Sequence, residues 1–194
     1  MLDRWTLEWI KPSLTKTARA LDKIGLSANQ VSIIGFLIGL MAVPALYLKA
    51  YITALVIIII NRILDGLDGT IARMRKPTDA GGFLDITFDF VFYSAVIVGF
   101  ALADPEQNAV AAAVLIFSFV GTGSSFLAFA VMAAKHNIKS ITYPQKSLYY
   151  LGGLTEGTET IAFFVVFCLF PDYFPILAFV FAGLCGLTTV LRIY

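Results

Sequence analysis

Four aspartates, Asp65, Asp68, Asp85 and Asp89, fall within 25 residues of a chain that is otherwise strongly apolar. A carboxylate at the centre of a membrane helix costs roughly 2.5–3.5 kcal/mol on the insertion scale. Four of them in one place require compensating positive charge. A divalent metal ion supplies it most compactly, and carboxylate oxygens suit Mg²⁺ or Mn²⁺. Mg²⁺ held this way keeps positions open for phosphate oxygens. The chemistry implied is a membrane-embedded site that handles phosphates. A single intramembrane Asp could instead be a packing hydrogen-bonder, and a pair could serve a cation or proton carrier. Four at this spacing fit neither role as well.

The composition sets the surroundings. Of 194 residues, 59% are hydrophobic and 14% charged, against ~25% charged in an ordinary soluble domain. The mean hydropathy is +0.84. The chain therefore reads as an all-α integral membrane protein, with residues 1–194 forming a single domain. The net charge of +1 and the segregated basic residues give no nucleic-acid footprint. Cys168 and Cys185 lie inside apolar runs and read as buried thiols. No cleavable signal peptide is evident.

A spanning helix needs ~20 mostly apolar residues. Six candidates emerge, at 28–48, 52–74, 81–103, 107–134, 155–171 and 173–192. The second and third carry the aspartates. Pro171 and Pro175 mark the turn into the sixth. Gly121-Thr122-Gly123-Ser124-Ser125 gives the fourth a face of small residues for close packing. Ahead of these, residues 1–27 form a juxtamembrane segment. Leu2, Trp5, Trp9, Ile10, Leu14 and Leu21 recur at near-helical spacing among basic residues, which fits an interfacial amphipathic helix broken at Pro12. Ser27 is placed to cap the first span.

Lysine and arginine placement predicts the topology. Arg4, Lys11, Lys16, Arg19, Lys23, Arg73, Arg75, Lys76, Lys135, Lys139, Lys146 and Arg192 fall on one side. Lys49 falls on the other, and Arg62 lies within a helix. Both termini and the aspartates are then cytoplasmic.

On a helix advancing ~100° per residue, Asp65 and Asp68 are about 60° apart, with Gly69 and Ala72 on the same side. Gly81, Asp85 and Asp89 make an i, i+4, i+8 ridge on the next helix. The small residues predict a close approach of the two helices, across which the carboxylates converge. Arg73 follows at the helix end, within reach of a phosphate oxygen.

The pattern Asp65-x-x-Asp68-Gly69-x-x-Ala72-Arg73, seven residues, then Gly81-x-x-x-Asp85-x-x-x-Asp89 resembles the signature of the CDP-alcohol phosphotransferase (CDP-alcohol phosphatidyltransferase) family. Eight positions match across residues 65–89. Ser27-Ala28-Asn29 is similar to the Thr-Pro-Asn segment often found before the family's first span, departing at Ala28. The resemblance implies six spanning helices after an interfacial one. It also implies metal ligation by Asp65, Asp68, Asp85 and Asp89, with Mg²⁺ or Mn²⁺ in a two-ion site. Asp89 would be the base that deprotonates the acceptor hydroxyl. Asp65, Asp68, Gly69, Ala72, Arg73 and Gly81 would line the nucleotide site. The implied reaction transfers a substituted phosphate to an alcohol and releases CMP. A homodimer is common in the family.

The family has two branches, and a compact chain resembles the bacterial one that takes CDP-diacylglycerol and a small polar alcohol. That places it in phospholipid biosynthesis, in a bacterial cytoplasmic (inner) membrane. The other branch transfers a CDP-choline or CDP-ethanolamine group to diacylglycerol. For the acceptor, Lys135 and Arg192, with His136, Lys139 and Lys146 nearby, would suit a phosphorylated alcohol such as glycerol 3-phosphate or an inositol phosphate. Glu156 and Glu159 would instead select a cationic group, or complement a helix N-terminus. A cation or proton carrier using the same aspartates is the competing class, although no internal repeat of the kind such carriers use is visible.

Overall fold

The structure, a computed structural model, describes residues 14–136 and 154–194. Trp5, Trp9, Pro12, Lys139 and Lys146 lie outside the described residues, as does most of the predicted interfacial helix. Its last part is seen as helix α1, residues 14–23. There follow α2 (Ala28–Leu40), α3 (Ala42–Tyr47), α4 (Tyr51–Arg75), α5 (Asp79–Ala103), α6 (Pro105–Lys135), α7 (Gly157–Leu169), a 3₁₀ turn (Pro171–Tyr173) and α8 (Phe174–Ile193). The described residues contain no strand.

Local chemistry sets the helix starts. Ser27 and Gln30 form a reciprocal capping box at α2, as Ser27's position predicted. Thr78 accepts the Gly81 N–H at α5, and Asp104 accepts the Gln107 N–H at α6, where Pro105 occupies the first turn. Glu156 and Glu159 cap α7 in the same reciprocal way.

Among the described residues, four stretches are long and apolar enough to cross a membrane: Ala28–Tyr47, Asp79–Ala103, Pro105–Lys135 and Pro171–Ile193. The other two expected spans differ for physical reasons. Helix α4 has the length, 25 residues, but Arg62, Asp65 and Asp68 dilute its apolarity. Helix α7 has only 13 residues. The predicted span 28–48 is two helices rather than one. The chain breaks at Met41, because Pro44 has no N–H to return to the Leu40 carbonyl.

Helix α2 packs against both α4 and α5, α6 packs along α8 and α5, and α7 closes against α4. The small-residue face of α6 serves as expected: a Cβ at Gly123 would come 2.9 Å from the Phe90 ring on α5, and one at Gly121 would come 3.2 Å from Thr189 Oγ1 on α8. One end of the bundle is filled by aromatic rings. Phe100 stacks on Phe174 with centroids 4.7 Å apart, and Phe167 meets both edge-on. Phe164, Phe181 and the two free cysteines are buried in the same core. At this end Lys49, in the turn before α4, pairs with Asp104 before α6. The aspartates lie toward the opposite end.

A second, smaller cluster joins Ala18 of α1 to Val31, Leu67 and Ile71, with Leu14 and Leu21 beside it. Arg75 donates to Asp22, tying α1 to the end of α4.

Candidate active site

Helix α4 presents Asp65 and Asp68, and α5 presents Asp85 and Asp89. Asp65, Asp68 and Asp85 each place a carboxylate oxygen so that all three lie within 4.8 Å of one another. Asp68 is buried, Asp65 half-buried and Asp85 exposed to the opening. A cavity of about 500 Å³ lies beside them, walled by parts of α2, α4, α5, α6, α7 and α8. Asp68, Asp85 and Asp89 all line it. Asp65 lines a small space on the inner side, which shares Asp68 and Asp85 with the cavity.

Hard carboxylate oxygens from two helices at this separation match the donor set a divalent ion takes. Among the described residues Arg62 pairs with two of the four carboxylates, at 3.6 Å from Asp65 and 2.8 Å from Asp89. The residues present therefore fit Mg²⁺ or Mn²⁺.

The fourth aspartate sits apart from the other three. Asp89 Oδ1 accepts from Arg62 Nη1 at 2.8 Å, and Oδ2 accepts from the Tyr93 hydroxyl at 3.3 Å. Neither Arg62 nor Tyr93 stood out in the sequence as a site residue. A signal was available: Arg62 is one turn before Asp65 and Tyr93 one turn after Asp89, both inside apolar helices. An ionisable residue at membrane depth is a candidate site residue in its own right.

The glycines do different work from that expected. Helices α4 and α5 do not close on each other, since α2 packs against both and the cavity opens between them. A Cβ at Gly69 would lie 3.3 Å from Arg73 Nη1, so Gly69 makes room for the guanidinium of Arg73. Arg73 donates to Thr70 Oγ1 at 3.2 Å and lines the cavity with Gly69 and Ala72. A Cβ at Gly81 would meet Thr78 Oγ1 at 3.1 Å and Asn29 Oδ1 at 3.3 Å. Gly81 thus brings Asn29 of α2 against the start of α5. Asn29 and Ser32 also line the cavity.

The predicted acceptor residues divide. Arg192 and Glu156 line the cavity together with Thr122, Thr155 and Thr160. Arg192 Nη1 donates to the Thr122 carbonyl at 2.9 Å. Glu159 turns back to accept the Glu156 N–H at 3.0 Å and is not in the lining. Lys135 and His136 are exposed at the end of α6, outside the lining.

Comparison with known proteins adds to this geometry. A family model described as CDP-alcohol phosphatidyltransferase matches residues 26–191. The chain is 56% identical over 194 residues to the inner membrane protein YnjF of Escherichia coli, covering all of this chain and 94% of that one. It is 39% identical over 94 residues to an archaetidylinositol phosphate synthase of Pyrococcus horikoshii, covering 48% of this chain and 50% of that one. The fold matches the Mycobacterium tuberculosis phosphatidylinositol phosphate synthase PgsA1 with CDP-DAG bound. That match has a TM-score of 0.72 at 20% identity and covers 93% of this chain and 91% of that one. The same enzyme in complex with manganese and citrate also matches with a TM-score of 0.72, at 21% identity, covering 93% and 87%.

Proposed function

The chain belongs to the CDP-alcohol phosphatidyltransferase family, and we propose that it moves a phosphatidyl group from CDP-diacylglycerol to a small phosphorylated alcohol, releasing CMP. It is an integral membrane enzyme of phospholipid synthesis that joins a CDP-linked lipid to an alcohol. Family membership sets aside the carrier reading.

The observation that carries the proposal is the meeting of Asp65, Asp68 and Asp85 on the border of a cavity that Arg73 and Asp89 also line. In this reading the three aspartates hold Mg²⁺ or Mn²⁺, which when bound neutralises the pyrophosphate and the charge developing on the leaving phosphate. Gly69, Ala72 and Gly81 leave space for the nucleotide, and Arg73 binds a phosphate oxygen. Asp89 takes the proton of the acceptor hydroxyl. The alcohol oxygen then forms its bond to the phosphorus carrying the diacylglycerol. The phosphoanhydride bond breaks, and CMP leaves with the electron pair. No covalent enzyme intermediate is needed.

For the acceptor, Arg192 supplies a guanidinium to an anionic group, and the hydroxyls of Thr155 and Thr160 suit a polyol. Two of the similar proteins are named as synthases of inositol phosphate lipids, which supports an inositol phosphate. Glycerol 3-phosphate fits the same chemistry. Glu156, whose carboxylate caps α7, is the weaker argument for a cationic acceptor. We further read α4 and α7 as completing six crossings, with both termini and the cavity cytoplasmic, and the chain as a homodimer.

The test is CMP release by the purified protein, given CDP-diacylglycerol, Mg²⁺ or Mn²⁺ and a panel of alcohols, with the lipid product weighed by mass spectrometry. Turnover is expected with a phosphorylated polyol, to stop with EDTA and to return with added metal. Absence of CMP release with every acceptor, or undiminished turnover in chelator, would overturn the reading.

A further inference from the structure

We propose that the outer face of α1 docks on anionic lipid headgroups while its inner face braces α4, so that the charge of the bilayer raises turnover. The effect on turnover rests on the function proposed above; the docking does not.

The two faces of α1 are cleanly divided. Lys16, Arg19 and Lys23 recur at i, i+3 and i+7, within about 60° of arc. All three are exposed, and among the described residues none pairs with a carboxylate. The acid on this helix, Asp22, is taken by Arg75 of α4, so it does not cancel the ridge. Leu14, Ala18 and Leu21 lie about 130–170° round the helix from the ridge. They pack against Val31 of α2 and Leu67 and Ile71 of α4.

The place of α1 in the chain says which anion the ridge meets. Only residues 24–27 separate it from α2, which opens the first apolar stretch long enough to cross a membrane. The turn between them is fixed. The Leu26 N–H reaches the Leu21 carbonyl at 3.2 Å and the Gly25 N–H reaches the Asp22 carbonyl at 3.1 Å, with Gly25 at φ +88°. This is a Schellman closure, and Leu21 and Leu26 share the apolar cluster beneath it. A helix tied this closely to a membrane span sits at headgroup depth. Ile24, 73% exposed beside the ridge, adds an apolar side chain that a bilayer would cover and a soluble anion would not. Each basic residue near an anionic surface adds attraction, and the sum is screened by salt.

The inner face gives the contact its consequence. Leu67 stands between Asp65 and Asp68 in sequence, and Ile71 between Asp68 and Arg73; both are buried under α1. Leu14 covers Gly66, where an added Cβ would lie 3.2 Å from its side chain. Pressing α1 onto the bundle therefore steadies the stretch of α4 that carries the site.

The experiment reads hydrogen exchange of residues 14–23 and CMP release on the same protein in phosphatidylcholine vesicles, with and without roughly 30% phosphatidylglycerol. Anionic vesicles should slow exchange in α1 by about tenfold and raise turnover by about threefold, and about 0.5 M NaCl should remove both effects. The Lys16→Gln/Arg19→Gln/Lys23→Gln protein should match wild type in neutral vesicles and gain nothing in anionic ones. Equal exchange in the two kinds of vesicle, or a triple variant that responds as wild type does, overturns the proposal. Should the triple variant fail to fold, the salt series on wild type decides, and protection that survives salt overturns the docking. Inorganic phosphate added to neutral vesicles should leave exchange unchanged; slowing by phosphate would make the ligand a soluble anion and overturn the lipid assignment. Protection that rises with no change in turnover would overturn the coupling to α4. A wild-type protein that releases no CMP in any vesicle would sink the proposed function while the exchange comparison still judges the docking.

Discussion

Gly39 of α2 packs against Asn61, which donates to the Gly35 carbonyl and accepts from the Arg62 guanidinium, and replacing Gly39 with alanine tests whether packing there governs the site. The added Cβ would lie 2.7 Å from Asn61 Nδ2 and 2.9 Å from a Phe92 ring carbon. Comfortable contacts are about 3.5–4.0 Å, so each is too short by roughly 0.8 Å. Neither neighbour can yield freely. Asn61 is bound to Gly35, and Phe92 is 1% exposed beneath the guanidinium. Overpacking costs about 1–3 kcal/mol and a broken buried hydrogen bond about 1–3 kcal/mol, while alanine in a helix regains about 0.5–1 kcal/mol. The net loss is roughly 3 kcal/mol, which lowers Tm by about 10 °C for a chain of this length. The assay is thermal unfolding in mild detergent, with CMP release measured on the same samples. Gly183→Ala and Gly186→Ala are internal controls, since a Cβ at either meets nothing within 4 Å. They should leave Tm level or slightly raised. A Gly39→Ala protein as stable and as active as these controls would refute the argument.

Two further outcomes follow from the same reasoning. Arg192→Leu should raise KM for a phosphorylated acceptor by about 10- to 100-fold, the worth of one charge-assisted hydrogen bond, with KM for CDP-diacylglycerol little affected; equal effects on both substrates would remove Arg192 from the acceptor wall. Phe167→Ala removes a fully buried ring and should cost about 3–5 kcal/mol in thermal or denaturant unfolding. A small effect there would mean that the aromatic end of the bundle is not tightly packed.

The aspartate pattern was legible because helical periodicity alone places Asp65 with Asp68 and Asp85 with Asp89. The meeting of three carboxylates follows once the two helices face a common space. What lay beyond reach depends on contacts between helices. Asp89 is drawn to Arg62, 27 positions away in sequence, and only the packing of α2 against both α4 and α5 brings the two to the same depth. The glycines misled for a related reason. Spacing shows which face Gly69 and Gly81 occupy but not what stands opposite, and the neighbours are Arg73, Thr78 and Asn29 rather than the other helix. The break at Met41 had a sequence cause in Pro44, outweighed in the reading by the continuous apolar run around it. Lys135 and Arg192 looked alike as terminal cations; only the cavity wall separates them.

The stacked rings of Phe100, Phe167 and Phe174 carry a consequence for the cell as well as for the fold. A hollow lined by carboxylates, sunk into a bilayer, is halfway to a leak. Phe100, Phe167 and Phe174 lie beyond the cavity lining, in the buried core. A charge moving from the cavity into that packing would have no partner, so the rings set an electrical barrier against ions drifting through the bundle.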